Sequence, residues 1–159
     1  MKIKFNNIRD LADARYAAAV MADYIGFSIG DENELPTSTI QEIIGWCSGP
    51  EIILEVKNTA AIEKVKALLS ILPVNGLEVS AHDHPAMKEA FSEQNLLWII
   101  DAKMNGEDEF MKANPNAEAA EKIKETAPWG ISMDCFESVS TGIKDFSDWN
   151  DFFEALEIL

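Results

Sequence analysis

Short apolar runs alternate along this chain with stretches whose apolar residues recur at helical spacing, the pattern of repeated βα units around a parallel sheet. Residues 2–5 read as a first strand. Asp10 then caps a helix carrying Leu11, Ala14, Ala18 and Met21, with Asp13 as a capping-box acid. Residues 24–29 form a second strand and residues 31–36 a polar loop. A helix opened by Ser38 or Thr39 follows and runs to Trp46, before Ser48-Gly49-Pro50 stops it. Residues 51–56 are a third strand, and Ile62, Val65, Leu68, Leu69 and Leu72 share one helix face. Residues 77–81 give a fourth strand, His82-Asp83-His84-Pro85 a polar turn, and residues 86–93 a helix. Residues 96–100 are the most apolar strand, as expected where both faces are covered.

Beyond residue 100 the rhythm weakens. Residues 101–108 are polar and turn-rich, residues 109–113 supply only a stub of strand, and Asn114-Pro115-Asn116 leads into a helix over 117–126. A short strand at 131–134 and a final helix over 148–159, with Trp149, Phe152, Phe153 and Leu156 on one face, complete the pattern. The expectation is a single domain over 1–159, an α/β barrel of parallel strands truncated to about seven units where the complete type has eight and typically ~250 residues. A missing unit leaves strained closure or an exposed strand edge. A homodimer covering that gap is therefore expected, with residues 98–112 at or near the interface.

The formal net charge of −15 repels phosphate backbones and anionic membrane surfaces, and the 13 Lys and Arg form no basic patch to override it. Neither nucleic acid nor membrane is an expected partner. No apolar run approaches the length of a membrane span, and the N-terminal residues lack the apolar stretch of a leader, so a cytoplasmic location is expected. Cys47 and Cys135 form neither a CxxC pair nor a disulfide framework and read as free thiols.

Three strings resemble phosphoribosylanthranilate isomerase, a small barrel enzyme of tryptophan biosynthesis. The family's opening K-x-C-G-I and A-D-x-x-G-F are similar to Lys4-Phe5-Asn6-Asn7-Ile8 and Ala22-Asp23-Tyr24-Ile25-Gly26-Phe27. Its N-P-E-N-V and P-x-G-V-D-V-S-S-G-V-E resemble Asn114-Pro115-Asn116-Ala117 and the stretch from Pro128 through Ile131-Ser132-Met133-Asp134-Cys135 to Glu137. The third, P-G-x-K-D, resembles Thr141-Gly142-Ile143-Lys144-Asp145.

The resemblance implies an Amadori rearrangement, with an acid on the ribose ring oxygen and a base on the neighbouring carbon. Asn6 stands where the family base is a cysteine, and an amide does not titrate near neutrality. The family acid ends the sixth strand, the unit that this chain has lost if residues 97–100 are the fifth strand. In a second register, Trp98-Ile99-Ile100-Asp101 matches the family's L-L-D and keeps an acid at Asp101; the single helix that fits between Ala81 and Leu96 argues against it. The carboxylate-binding arginine falls at Asn33, within an acidic loop. The family's Q-L-H-G histidine survives at His82 only if one residue is skipped. Its phosphate-binding A-G-G-L reads Met111-Lys112-Ala113-Asn114, without the glycines. Its S-S-G becomes Asp134-Cys135, a carboxylate where a phosphate would sit.

The expected activity is accordingly a degenerate one: an isomerase-like protein serving as a binding, regulatory or assembly module, with a small-molecule ligand at the carboxyl ends of the strands and no cofactor or metal. The alternative is an active isomerase, or another sugar-phosphate enzyme, using Asp101 or His82. His82 and His84 beside Asp83 lie where barrel sites are built, but Pro85 fits a plain turn. Glu107-Asp108-Glu109 with Asp101 fits a solvated acidic loop better than a cation site.

Overall fold

The computed structural model describes residues 1–136 and 144–159. Eight strands close into a barrel in chain order: β1 (Lys2–Asn6), β2 (Tyr24–Ile29), β3 (Glu51–Val56), β4 (Gly76–Val79), β5 (Leu97–Ile100), β6 (Lys103–Met104), β7 (Asp108–Lys112) and β8 (Gly130–Asp134). Helices α1 (Leu11–Ala19), α2 (Thr37–Trp46), α3 (Ile62–Ile71), α4 (His84–Ala90), α5 (Ala117–Thr126) and α6 (Ser147–Ala155) pack outside.

All strand pairs are parallel except those of β6, which runs antiparallel to both β5 and β7. The expected barrel of parallel strands is present, and its count of about seven units gains one short strand. Seven strands are parallel, and an eighth, too short to show any periodicity, fills the gap without a helix of its own. Asp101-Ala102 and Asn105-Gly106 make the two reversals around it, all four with positive φ. Such backbone matches the twist of a tight hairpin. The main chain is knitted across both turns by Asn105 N–H to Trp98 O at 2.7 Å and Phe110 N–H to Ala102 O at 2.9 Å. Closure leaves no unpaired strand between residues 98 and 112, so the edge that motivated a homodimer there is absent.

Several boundaries also move. The α2 helix opens at Thr37, with Pro36 in the cap position and no side-chain cap, rather than at Ser38 or Thr39. His84 and Pro85 belong to the first turn of α4, where proline's missing N–H costs nothing, and not to the preceding turn. At α1 the cap is as expected: Asp10 Oδ1 accepts from Asp13 N at 3.0 Å. The Asp13 carboxylate reaches back to Arg9 N at 2.9 Å. Of the third resemblance string, Thr141, Gly142 and Ile143 lie outside the described residues, as does Glu137.

Alternation along each strand divides the core in two. Outward residues such as Ile3, Phe5, Ile25, Phe27, Leu54 and Ile131 pack under the helices, where Phe5 meets Trp149 with ring centroids 4.9 Å apart. Inward residues at the amino ends form a separate apolar plug of Tyr24, Ile53, Ile99, Met104 and Phe110. Met104 is the contribution of β6, and its burial gives that two-residue strand a reason to stay in the wall. The Phe110 ring lies over Gly130, where an added Cβ would come within 2.9 Å of it. Above the plug the inward positions turn polar.

Candidate functional site

The polar half of the barrel interior opens at the carboxyl ends of the strands into a cavity of about 470 Å³. Its floor is an ion cluster centred on Lys4. The Lys4 Nζ donates hydrogen bonds to Glu55 Oε1 at 2.7 Å and to Asn6 Oδ1, and it is ion-paired with Glu78, whose Oε2 lies 2.6 Å away. Lys4 is 1% exposed and Glu55 3%. Burial pulls the ammonium toward neutrality, but the two glutamates outweigh it and hold its pKa above the ordinary lysine value. Gly26 on β2 makes room for this arrangement: a Cβ there would sit 1.9 Å from Glu55 Oε1.

From Lys4 the network continues across the mouth. The register pairs Asn6 on β1 with Asp134 on β8, and Asn6 Nδ2 donates to Asp134 Oδ1 at 2.9 Å. Asp134 Oδ2 in turn lies 2.5 Å from Lys112 Nζ at the end of β7. Burial alone would push the Asp134 carboxyl up. Hydrogen bonds from Lys112 and Asn6 and the Lys112 charge outweigh it and hold the group below the usual carboxylate range. Asn6 thus uses the acceptor end of its amide on an ammonium and the donor end on a carboxylate, a bridge that a cysteine thiol makes only weakly and that an ionised carboxylate, having no donor, does not make.

Much of the remaining lining comes from the ends of the first three strands and the loops that follow them. Asn7, with φ of 53°, donates its N–H to Glu55 at 3.2 Å, and its buried Oδ1 has no hydrogen-bond partner among the described residues. Ser28, Lys57 and Ser132 also line the cavity. Asn33 N donates to Asp31 Oδ1 at 2.9 Å, and the Asn33 carbonyl accepts from Arg9 Nη1, which ties the loop after β2 to the loop after β1.

Of the residues singled out from sequence, the mouth brings together Asn6, Asn33, Lys112, Asp134 and Cys135. Cys135 is buried, and burial pushes its thiol well above the ordinary value, away from the thiolate form that a nucleophile needs. Three others stand apart. His82 is exposed in the turn after β4 and outside the cavity lining. Asn114 lines a separate hollow of about 200 Å³ at the start of α5, where Asn116 Oδ1 already caps the helix by accepting from Ala119 N at 2.8 Å. Asp101 ends β5, accepts from Ala81 N at 3.0 Å, and faces a neighbouring hollow of about 240 Å³ shared with Lys57 and Glu78. Leu97–Ile100 is the fifth strand in chain order, and Asp101 opens the reversal into β6. No group of three or more potential metal ligands occurs among the described residues.

Lys4, Glu55 and Glu78 were not among the residues singled out from sequence. The signal existed: each is a charge at an inward position of an otherwise apolar strand, Lys4 between Ile3 and Phe5, Glu55 between Leu54 and Val56, Glu78 between Leu77 and Val79.

No family model matches the chain, and no curated protein matches it. Among solved structures, the barrel is similar to phosphoribosylanthranilate isomerase from Thermus thermophilus, with a TM-score of 0.76 and 14% identity over 99% of this chain and 98% of that one. A monomeric form of the dimeric isomerase from Thermotoga maritima gives 0.67 and 15% over the whole of both chains. An isomerase bound to reduced 1-(o-carboxyphenylamino)-1-deoxyribulose 5-phosphate gives 0.65 and 14%, again over both chains entire. At such identities the likeness establishes the fold: this chain has the barrel of phosphoribosylanthranilate isomerase.

Proposed function

We propose that this chain is a catalytically silent relative of phosphoribosylanthranilate isomerase, acting in the cytoplasm as a binding or regulatory module through the mouth of its barrel. One observation carries the reading. Asn6, at the position of the family base, is hydrogen-bonded at both ends of its amide and neither takes nor releases a proton near neutrality. The surroundings agree with it. The ligand in the isomerase complex carries a phosphate and a carboxylate. The cavity here is lined by four carboxylates, Asp31, Glu55, Glu78 and Asp134, and its most exposed cation, Lys112, is already paired.

The competing reading, an isomerase or another sugar-phosphate enzyme using Asp101 or His82, has less support, because both lie outside the cavity lining. Complementation of a tryptophan auxotroph lacking the isomerase, together with an assay of the purified chain, decides between the two. No growth on minimal medium and no turnover are expected; growth would overturn the proposal. Assembly with a second copy draws support only from the dimeric isomerase of Thermotoga maritima. Sedimentation at micromolar concentration tests it, and a monomer there rules it out.

A further inference from the structure

Resting on the reading of the mouth as a binding pocket, we infer that its ligand is a small organic amine, bound through a primary ammonium group, and not a phosphate. The reason is the balance of hydrogen-bonding capacity on the cavity floor. An ammonium has three N–H donors. Those of Lys4 serve Asn6 and Glu55 by hydrogen bonds and the ion pair with Glu78, whose Oε2 lies 2.6 Å away, so the most deeply placed cation is already saturated with acceptors of the chain's own. Both donor and acceptor ends of Asn6 are engaged as well.

Acceptors, by contrast, are in surplus. Glu78, 24% exposed, meets Lys4 through Oε2, and a carboxylate offers about four lone-pair positions. Asn7 Oδ1 is buried at the cavity wall and receives no hydrogen bond among the described residues. The atom is closed to solvent, and a turn of the Asn7 amide that brings it to a ligand N–H removes the cost of leaving a buried acceptor unmet. Charge points the same way: four carboxylates line the cavity, against Lys57, Lys112 and the buried Lys4. The chain as a whole carries −15. A cavity of about 470 Å³ suits a molecule of metabolite size. A ligand that donates hydrogen bonds and brings positive charge meets these conditions together; a dianionic phosphate meets none of them.

The test uses the full chain, ¹⁵N-labelled, titrated at low ionic strength with 1,4-diaminobutane, ribose and ribose 5-phosphate in turn. The expected result is saturable shifts of the Asn6, Asn7 and Ser28 amides with the diamine alone. Binding should weaken at least tenfold in Glu78→Gln and several-fold at 0.5 M salt. Because Glu78 touches Lys4, Asp31→Asn is the second variant, lying outside the ion cluster and expected to weaken binding about threefold. Ribose 5-phosphate shifting the same amides would overturn the amine assignment while leaving the silent-relative reading intact. Mouth amides that respond to no probe, or diamine shifts that spread unsaturably over the acidic surface, would overturn it equally. Turnover of phosphoribosylanthranilate, followed separately by fluorescence, would instead sink the silent-relative reading.

Discussion

Replacing Lys4 by methionine keeps much of the side-chain volume and removes one charge from the buried ion cluster on the barrel floor. Glu55, 3% exposed, and Glu78 would then face each other without the ammonium that lies 2.7 and 2.6 Å from them. Removing one partner of a buried pair costs about 3–5 kcal/mol, because the remaining charge is uncompensated. For a domain of this size ~1 kcal/mol moves Tm by roughly 2–4 °C, so a fall of about 6–20 °C is expected at pH 7. The sign with pH follows from linkage. In the wild type the Lys4 pKa is raised on folding, so its contribution is complete below the unfolded value near 10.5 and is lost only as pH rises through the folded one. In Lys4→Met the two glutamates keep their like charges without the ammonium between them, and acidification, which removes carboxylate charge, shrinks the deficit as pH falls from 7 toward 4. Adding Glu55→Gln and Glu78→Gln should recover most of the loss, since an uncharged cluster has no desolvation to repay. Urea denaturation of the three proteins at pH 7 and pH 4.5 reads all of this. A loss under about 1 kcal/mol at pH 7, or one that does not change with pH, would refute the account of the barrel floor.

Gly26→Ala places a Cβ 1.9 Å from Glu55 Oε1 and must push that carboxylate off Lys4, so a loss of about 1–3 kcal/mol is expected by the same denaturation. Ala102→Gly, at φ of 63° in the reversal from β5 to β6, should stabilise. Relief of about 1–2 kcal/mol of left-handed strain exceeds the ~0.4–1 kcal/mol of unfolded-state entropy that glycine adds. The Tyr16 phenol, pushed up to about 12 by burial, should titrate well above pH 10 in an absorbance scan at 295 nm and vanish in Tyr16→Phe. Its contribution to stability is complete below pH 10 and is lost as pH rises toward 12. Cys135 should resist iodoacetamide at pH 8 until the chain is unfolded, read by mass spectrometry of the alkylated peptides.

Among the described residues, six of the eight strands and all six helices were legible as apolar patterning, because each buries a face long enough to show its period, while β7 showed only as a stub. The short β6 strand was not legible. A two-residue segment has no period to read, and Lys103–Met104 sits between reversals that look like loop. The trace it left was local chemistry: Asn105-Gly106 is the pair that a tight hairpin favours, and Met104 is an apolar residue within a polar stretch. The same distinction runs through the site. Asn6, Asp134 and Lys112 were found because they stand at positions a resemblance marks; Lys4, Glu55 and Glu78 stand where only the inward phase of three separate strands reveals them.

Their discovery changes what the substitution at Asn6 means. Taken alone, asparagine in place of a base is a loss. Set between Lys4 and Asp134 it is a fitted part, since among uncharged side chains an amide both accepts from the ammonium and donates to the carboxylate. Asp134 in turn neutralises Lys112, a cation that would otherwise be available to a phosphate. Asn6, Asp134 and Lys112 therefore form one electrostatically closed unit resting on Lys4. Restoring a cysteine at position 6 would leave Lys4 and Asp134 short of partners in the mouth. Asn6→Cys is thus expected to lower stability without generating isomerase activity.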